Sequence, residues 1–148
     1  MTKRINVYSL EPNSYQALKG VEDYMKAAQL PALLRELIKI RASQINGCAY
    51  CIDMHTQDSI KLGETPRRIF ALSAWKESPL FSEEERAVLQ LTEEVTLISN
   101  HGVSDATYNA VLKFYSEHQL AQILMQIVAI NSWNRIAVST NRVFEPQK

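Results

Sequence analysis

Glycine and proline are scarce in this chain, four and five among 148 residues. An all-β fold needs frequent turn residues, so it is disfavoured. Apolar residues recur instead at the 3.6-residue spacing of helices. Net charge is also missing: Lys plus Arg number 16, and so do Asp plus Glu. Without a basic face or stripe, no nucleic-acid partner is expected. No apolar run reaches about 18 residues, so neither a membrane span nor a membrane partner is expected. Met1-Thr2-Lys3-Arg4-Ile5-Asn6 carries two basic residues, but no apolar stretch follows. A secretory signal is therefore not expected, and the cytoplasm is the default compartment. Cysteine is nearly absent, and its two copies sit at C-x-x-C spacing. In a reducing compartment such a pair is more often catalytic or metal-binding than a structural staple. A disulfide across so short a loop also stabilises little through chain entropy.

The length fits one domain, residues 1–148, with a single core. The fold expected is an all-α bundle of about six to seven helices. Residues 12–29 read as the first, with Tyr15, Leu18, Val21, Tyr24 and Met25 on one face. A second opens at Pro31, carries Leu34, Leu37, Ile38 and Arg41, and stops at Asn46-Gly47. A third runs from Cys48 through His55 and Ile60 to Gly63. A short fourth covers residues 67–75 after Thr65-Pro66. Ser82, with Glu85 in the capping-box position, opens a fifth through Val88, Leu89, Leu91, Val95 and Ile98 to Asn100-His101-Gly102. Ser104-Asp105 caps a sixth through Tyr115. The last, residues 120–140, spreads its apolar residues over more than one face, as a core helix or a subunit interface does.

The chemistry concentrates in Glu36-x11-Cys48-Ala-Tyr-Cys51-Ile-Asp-Met-His55. A free thiol, with pKa near about 8.5, is mostly protonated at neutral pH. Three features favour the thiolate here. Asn46-Gly47 places Cys48 at a helix N-terminus, where unpaired N–H groups and the dipole attract negative charge. Cys51 can donate to that sulfur. His55, one turn beyond Cys51, can accept a proton. If the flanking helices form an antiparallel hairpin, Glu36 stands level with His55 and can orient it, directly or through one water.

Blander readings stand beside this one. Two cysteines can be inert core residues. A closed zinc site needs four ligands, and Cys48, Cys51 and His55 supply three; His101, His118 and generic carboxylates such as Asp53 are what remain. Glu36 alone would be a solvated helix charge. Asp53 and Tyr50 read as rim residues, His101 as a helix-end cap and His118 as the start of the last helix. Met25, Met54 and Met125 read as core packing.

The motif Glu36-x11-Cys48-x2-Cys51-x3-His55 resembles that of the alkylhydroperoxidase D (AhpD)-like proteins of the carboxymuconolactone decarboxylase superfamily. Ala42-Ser43-Gln44-Ile45-Asn46-Gly47-Cys48 and Ile130-Asn131-Ser132-Trp133-Asn134-Arg135-Ile136-Ala137 match as well. The likeness covers roughly residues 15–142. It implies an all-helical AhpD-like fold in a homo-oligomer (dimer, trimer or hexamer). It also implies peroxidase activity through a thiol–disulfide cycle: a thiolate becomes a sulfenic acid, its partner closes the disulfide, and an external dithiol restores both. By resemblance, Cys48 and Cys51 match the redox pair, and Glu36 and His55 the proton relay. No metal and no bound cofactor is implied. Tyr50 replaces a second His found in one type of member. The superfamily's true decarboxylases lack the cysteine pair, which argues against lactone decarboxylation. Asn131, Trp133, Asn134 and Arg135 match a segment taken as structural, with Arg135 pairing an acid and Asn134 tying down a helix end.

The function expected is a thiol-dependent peroxidase acting on hydrogen peroxide or alkyl hydroperoxides, served by a thiol reductant or reductase protein. Cys48, with the cap and the expected exposure, is favoured as nucleophile and Cys51 as resolving thiol; the opposite assignment stays open. Alternatives are a disulfide reductase partnering a peroxiredoxin, a redox-sensing or metal-binding oligomer without turnover, and a superfamily member with another substrate.

Overall fold

A computed structural model describes residues 4–144; residues 1–3, including the first part of the N-terminal segment read above, lie outside it. Within it the chain forms nine α-helices and no strand: α1 (Val7–Leu10), α2 (Pro12–Ala27), α3 (Ala32–Asn46), α4 (Ala49–Lys61), α5 (Pro66–Ala71), α6 (Glu83–Thr96), α7 (Ile98–His101), α8 (Asp105–Leu112) and α9 (Glu117–Ser139), with a 3-10 turn Leu72–Ala74 after α5. The count exceeds the six to seven expected because α1 and α7 are single turns of four residues. The seven longer helices are those read from the sequence. No helix of the described residues is long and apolar enough to cross a membrane.

Local chemistry sets most boundaries. Ser82 and Glu85 make the expected capping box, and three acids occupy the first turn of α6, where the dipole favours them. Thr65 and Ser104 cap α5 and α8 through their hydroxyls. The last helix starts earlier than expected. Ser116 accepts from the Gln119 N–H while the Gln119 side chain returns to the Ser116 N–H, a second capping box.

The fifth helix expected from the sequence stops short. The Thr96 hydroxyl accepts from Asn131 Nδ2 at 3.0 Å, which ties the end of α6 to α9. Leu97 then leaves helical geometry. Ile98 lands 57% exposed on α7 instead of in the core. Tyr24 likewise points outward from α2, where only Met25 is fully buried.

Helix α3 is the axis of the molecule, packed against α4, α6 and α9. Leu34 and Ile38 enter a core with Met25, Leu91, Ile123 and Ile127. Leu37 and Ile40 enter a second core with Leu72, Trp75, Phe81 and Leu89. Each such fully buried aliphatic side chain contributes about 1.5–3 kcal/mol. The last turn of α3 belongs to a third cluster, in which Ala42 meets Cys48, Cys51, Ile130 and Ala137.

Candidate active site

The junction of α3 and α4 is built by one glycine and one cysteine. Gly47 takes the left-handed conformation, φ 66°, that a side chain resists. Its N–H bonds the Gln44 carbonyl at 3.3 Å, and the Cys48 N–H bonds the Ser43 carbonyl at 3.0 Å. Those two bonds close α3 as a Schellman motif. Cys48 then opens α4: its sulfur is the N-cap and accepts from the Cys51 N–H at 3.3 Å. Cys48 and Cys51 form a disulfide with Cα atoms 5.4 Å apart.

The connection folds α4 back along α3, as the hairpin reading required. His55 and Glu36 thereby meet directly, Nδ1 to Oε2 at 3.0 Å, with no water needed between them. The other carboxylate oxygen of Glu36 meets Lys39 Nζ at 2.5 Å. Both Glu36 and His55 are 7% exposed. Burial alone would raise the Glu36 pKa, but the bond from His55 and the Lys39 ammonium outweigh it and hold the carboxyl below its usual range. With Glu36 ionised, Nδ1 carries the proton of their contact. Nε2 is then the ring nitrogen left for chemistry.

A polar network fastens this junction to α9. Asn46 Nδ2 donates to Asn131 Oδ1 at 3.0 Å and to Asn134 Oδ1 at 2.9 Å. Asn134 Nδ2 donates to the Ser43 hydroxyl at 3.0 Å. Asn134 does tie down a helix end, the C-terminus of α3. Arg135 pairs with no acid among the described residues: its guanidinium donates to the carbonyl and side-chain oxygen of Asn131 on its own helix.

A pocket of about 350 Å³ opens beside the pair, with Cys51, His55 and Glu36 in its wall. Cys48 is not in that wall. It is 1% exposed and packs against Ala42, Ile130 and Ala137, so the exposure expected of it is absent in this chain. Cys51 is nearly as covered at 3%, but its covered surface adjoins the pocket. Tyr15 and Trp133, edge to face at 4.9 Å, form the aromatic wall. Arg142 lies over the Tyr50 ring at 4.3 Å. A larger hollow, about 510 Å³, shares Tyr15 and Arg142 but holds no thiol.

Two methionines depart from their sequence reading, while Asp53, Tyr50, His101 and His118 keep to theirs. Met54 is 38% exposed and lines the pocket, and Met125 is 42% exposed, so of these three only Met25 packs in the core. Asp53 and Tyr50 are partly buried, His101 ends α7 in an exposed position, and exposed His118 lies in the first turn of α9. Lys39 was missed, although its i,i+3 spacing from Glu36 is a charge-pair signal. Tyr15, Trp133, Arg35 and Arg142 reach the pocket from separate elements; Tyr15 reads from the sequence as an apolar-face residue and Trp133 as structural, and no local pattern marks Arg35 or Arg142.

A model of the carboxymuconolactone decarboxylase family matches residues 12–94. The chain belongs to that family. Among its relatives, the uncharacterised protein YdfG of Bacillus subtilis is 45% identical over 139 residues, spanning 94% of this chain and 95% of that one. A crystal structure of ATU0492 from Agrobacterium tumefaciens, a protein of unknown function proposed as the antioxidant defence protein AhpD, is 36% identical. It superposes with a TM-score of 0.95 over 99% of this chain and 100% of that one. The resemblance to AhpD-like proteins read from the motif is thus borne out. The debrominase Bmp8, solved with 2,3,4-tribromopyrrole, is 20% identical with a TM-score of 0.83, over 93% of this chain and 73% of that one. That likeness is of fold alone. A shared fold does not fix an activity, so activity has to be argued from the side chains.

Proposed function

We propose that this protein is a thiol peroxidase that reduces hydrogen peroxide or organic hydroperoxides through its cysteine pair. One observation carries the reading: one thiol of a disulfide-capable pair, Cys51, lines a pocket that also holds a buried imidazole oriented by a carboxylate. In the reduced protein the Cys51 thiol passes its proton to His55 Nε2. The Cys51 thiolate attacks the terminal oxygen of ROOH, the O–O bond breaks, and the departing alkoxide takes the proton from His55 as ROH. Cys51 is now a sulfenic acid. The Cys48 thiol attacks its sulfur, the S–S bond forms and water leaves. An external dithiol reduces the disulfide by exchange. Glu36 serves as a positioning residue that fixes the tautomer of His55.

The nucleophile in this reading is Cys51, the reverse of the favoured sequence assignment, because Cys51 adjoins the pocket and Cys48 does not. The burial of both sulfurs favours a small peroxide over a protein disulfide as oxidant, which weighs against the reductase alternative. Homo-oligomerisation belongs to the same reading: Met125 and Val128 are exposed apolar residues of α9 that a second copy could cover. Light scattering of the purified protein tests that assembly.

The decisive test is intact mass and free-thiol count of the reduced protein before and after one equivalent of hydroperoxide, then after a dithiol. Loss of two hydrogens and both thiols, reversed by the dithiol, supports the reading. Two unreacted thiols, with stoichiometric zinc in the protein, would sink it in favour of a metal-binding oligomer.

A further inference from the structure

The pocket is far larger than hydrogen peroxide needs, and its rim is cationic in a chain of zero net charge. Five cationic side chains line it against three carboxylates. Two of the cations are committed: Lys39 to Glu36, and Lys26 to Asp23 at 3.6 Å. Among the carboxylates, Glu36 is held by His55 and Lys39, and Asp58 by Lys61 at 3.0 Å. Lys19 and Arg35 have no carboxylate within ion-pair distance among the described residues. Arg142 is held over Tyr50 by ring contact.

Arg35 is the most informative of these. It precedes Glu36 on α3, so its guanidinium is carried by the same helix as the carboxylate that orients His55. One N–H, from Nη1, donates to the Met25 carbonyl at 2.7 Å and anchors the group. Its Nε is buried without a partner. An anchored guanidinium with uncommitted N–H groups is a preformed fork for a carboxylate. A buried donor without an acceptor costs free energy. Tyr15, Trp133, Met54 and Ile136 supply apolar and aromatic lining in the same pocket as Arg35 and Cys51.

We propose that the site is adapted to organic hydroperoxides that carry a carboxylate remote from the peroxide, with Arg35 as the carboxylate-binding residue and Lys19 adding to the local positive field. Glu22 is the opposing group: it lines the same pocket, and its Oε1 is buried without a partner. The inference rests on the peroxidase reading for its chemistry, since the reacting step is the Cys51 attack given above. It adds the class of substrate.

The experiment is single-turnover oxidation of pre-reduced protein by cumene hydroperoxide and by its para-carboxylated derivative, with no reductant present. A carboxylate on the reductant therefore cannot produce the effect. The carboxylated peroxide is expected to react roughly tenfold faster, as one charge-assisted contact supplies. Arg35→Gln is expected to bring the ratio of the two rate constants close to one, and Glu22→Gln to increase it. Because Arg35→Gln also loses the Met25 contact, the Glu22→Gln variant keeps the test valid if the first misfolds. A wild-type ratio of one, or variants that change both rate constants alike, would overturn the inference and leave the peroxidase reading standing. Calorimetry of the carboxylated and plain cumyl alcohols on the oxidised protein separates the two ideas in the other direction. Arg35-dependent binding of the carboxylated alcohol without any peroxide turnover would uphold the carboxylate site and remove the peroxidase reading.

Discussion

His55 Nδ1 stands 3.0 Å from Glu36 Oε2, and Lys39 holds the other oxygen of the same carboxylate. The imidazole orientation thus depends on a charge that Lys39 helps to keep. Replacing Lys39 by Gln removes the cation, so the Glu36 pKa rises from its lowered position. The acid limb of the peroxidase pH–rate profile is expected to move to higher pH. Removing one partner of this nearly buried pair is expected to cost about 1–3 kcal/mol of stability. An acid limb that stays in place would show that Glu36 does not act through its charge.

The two sulfurs predict different chemistry for two single variants. Cys48→Ser leaves Cys51 beside the pocket with no resolving thiol, so a sulfenic acid should accumulate on peroxide treatment and react with dimedone. Cys51→Ser leaves a thiol packed among Ala42, Ile130 and Ala137, and no dimedone adduct should form. Both variants should lose disulfide turnover. The reverse labelling pattern would restore Cys48 as the attacking thiol.

The legibility of this fold follows how local each signal is. Ser82 with Glu85, Ser104, and Gly47 after Asn46 are decided by residues within one turn, and each stands where the sequence placed it. Ser116 with Gln119 is an equally local signal that the apolar pattern from Leu120 onward overshadowed. The meeting of Glu36 and His55 was legible because a two-residue connection leaves two helices little choice but to fold back. The burial of Cys48 was not, because the groups that cover it come from α9, some eighty residues later in the chain. The same distance hid the pocket wall, assembled from Tyr15, Trp133 and Arg142. The break between α6 and α7 falls where Asn131 bonds Thr96, a tertiary contact with no trace in local periodicity.

Gly47 has a conformational reason to be glycine. A Cβ there would meet nothing within 4 Å, so the strain of Gly47→Ala lies in the backbone alone. Its positive φ is expected to cost about 1–2 kcal/mol, measurable by chemical denaturation. The same residue sets the direction of Cys48, whose N–H closes α3 and whose sulfur opens α4. Gly47→Ala is therefore expected to slow disulfide closure as well as to lower stability. Unaltered closure kinetics would show that the Schellman motif does not govern the thiol.

Asn134 is fully buried and links α9 to both Asn46 and Ser43. Asn134→Ala withdraws a donor and an acceptor at once and strands polar groups in the core. A loss of about 1–3 kcal/mol is expected, read as a lowered denaturation midpoint. Thiol-closure kinetics should also suffer, since Asn46 is the last residue of α3 before the Gly47 turn.

Away from the site, Glu93 makes the pH dependence of stability testable. Its carboxylate accepts from Trp75 Nε1 at 2.7 Å, pairs with Arg41 at 2.7 Å and with Lys76 at 2.9 Å. Burial raises its pKa, but those three partners together outweigh burial and leave it below the ordinary 4.5. A carboxyl depressed on folding adds stability that is fully present above its unfolded pKa and disappears as pH falls through the folded value. Wild-type stability should therefore decline as pH drops below 4.5. Glu93→Gln should be less stable at neutral pH, because Arg41 loses its carboxylate, and its stability should fall less steeply with acid. Parallel acid curves for the two proteins would mean that the loss comes from other carboxylates, with Glu36 and Glu94, both also held low, the next to replace.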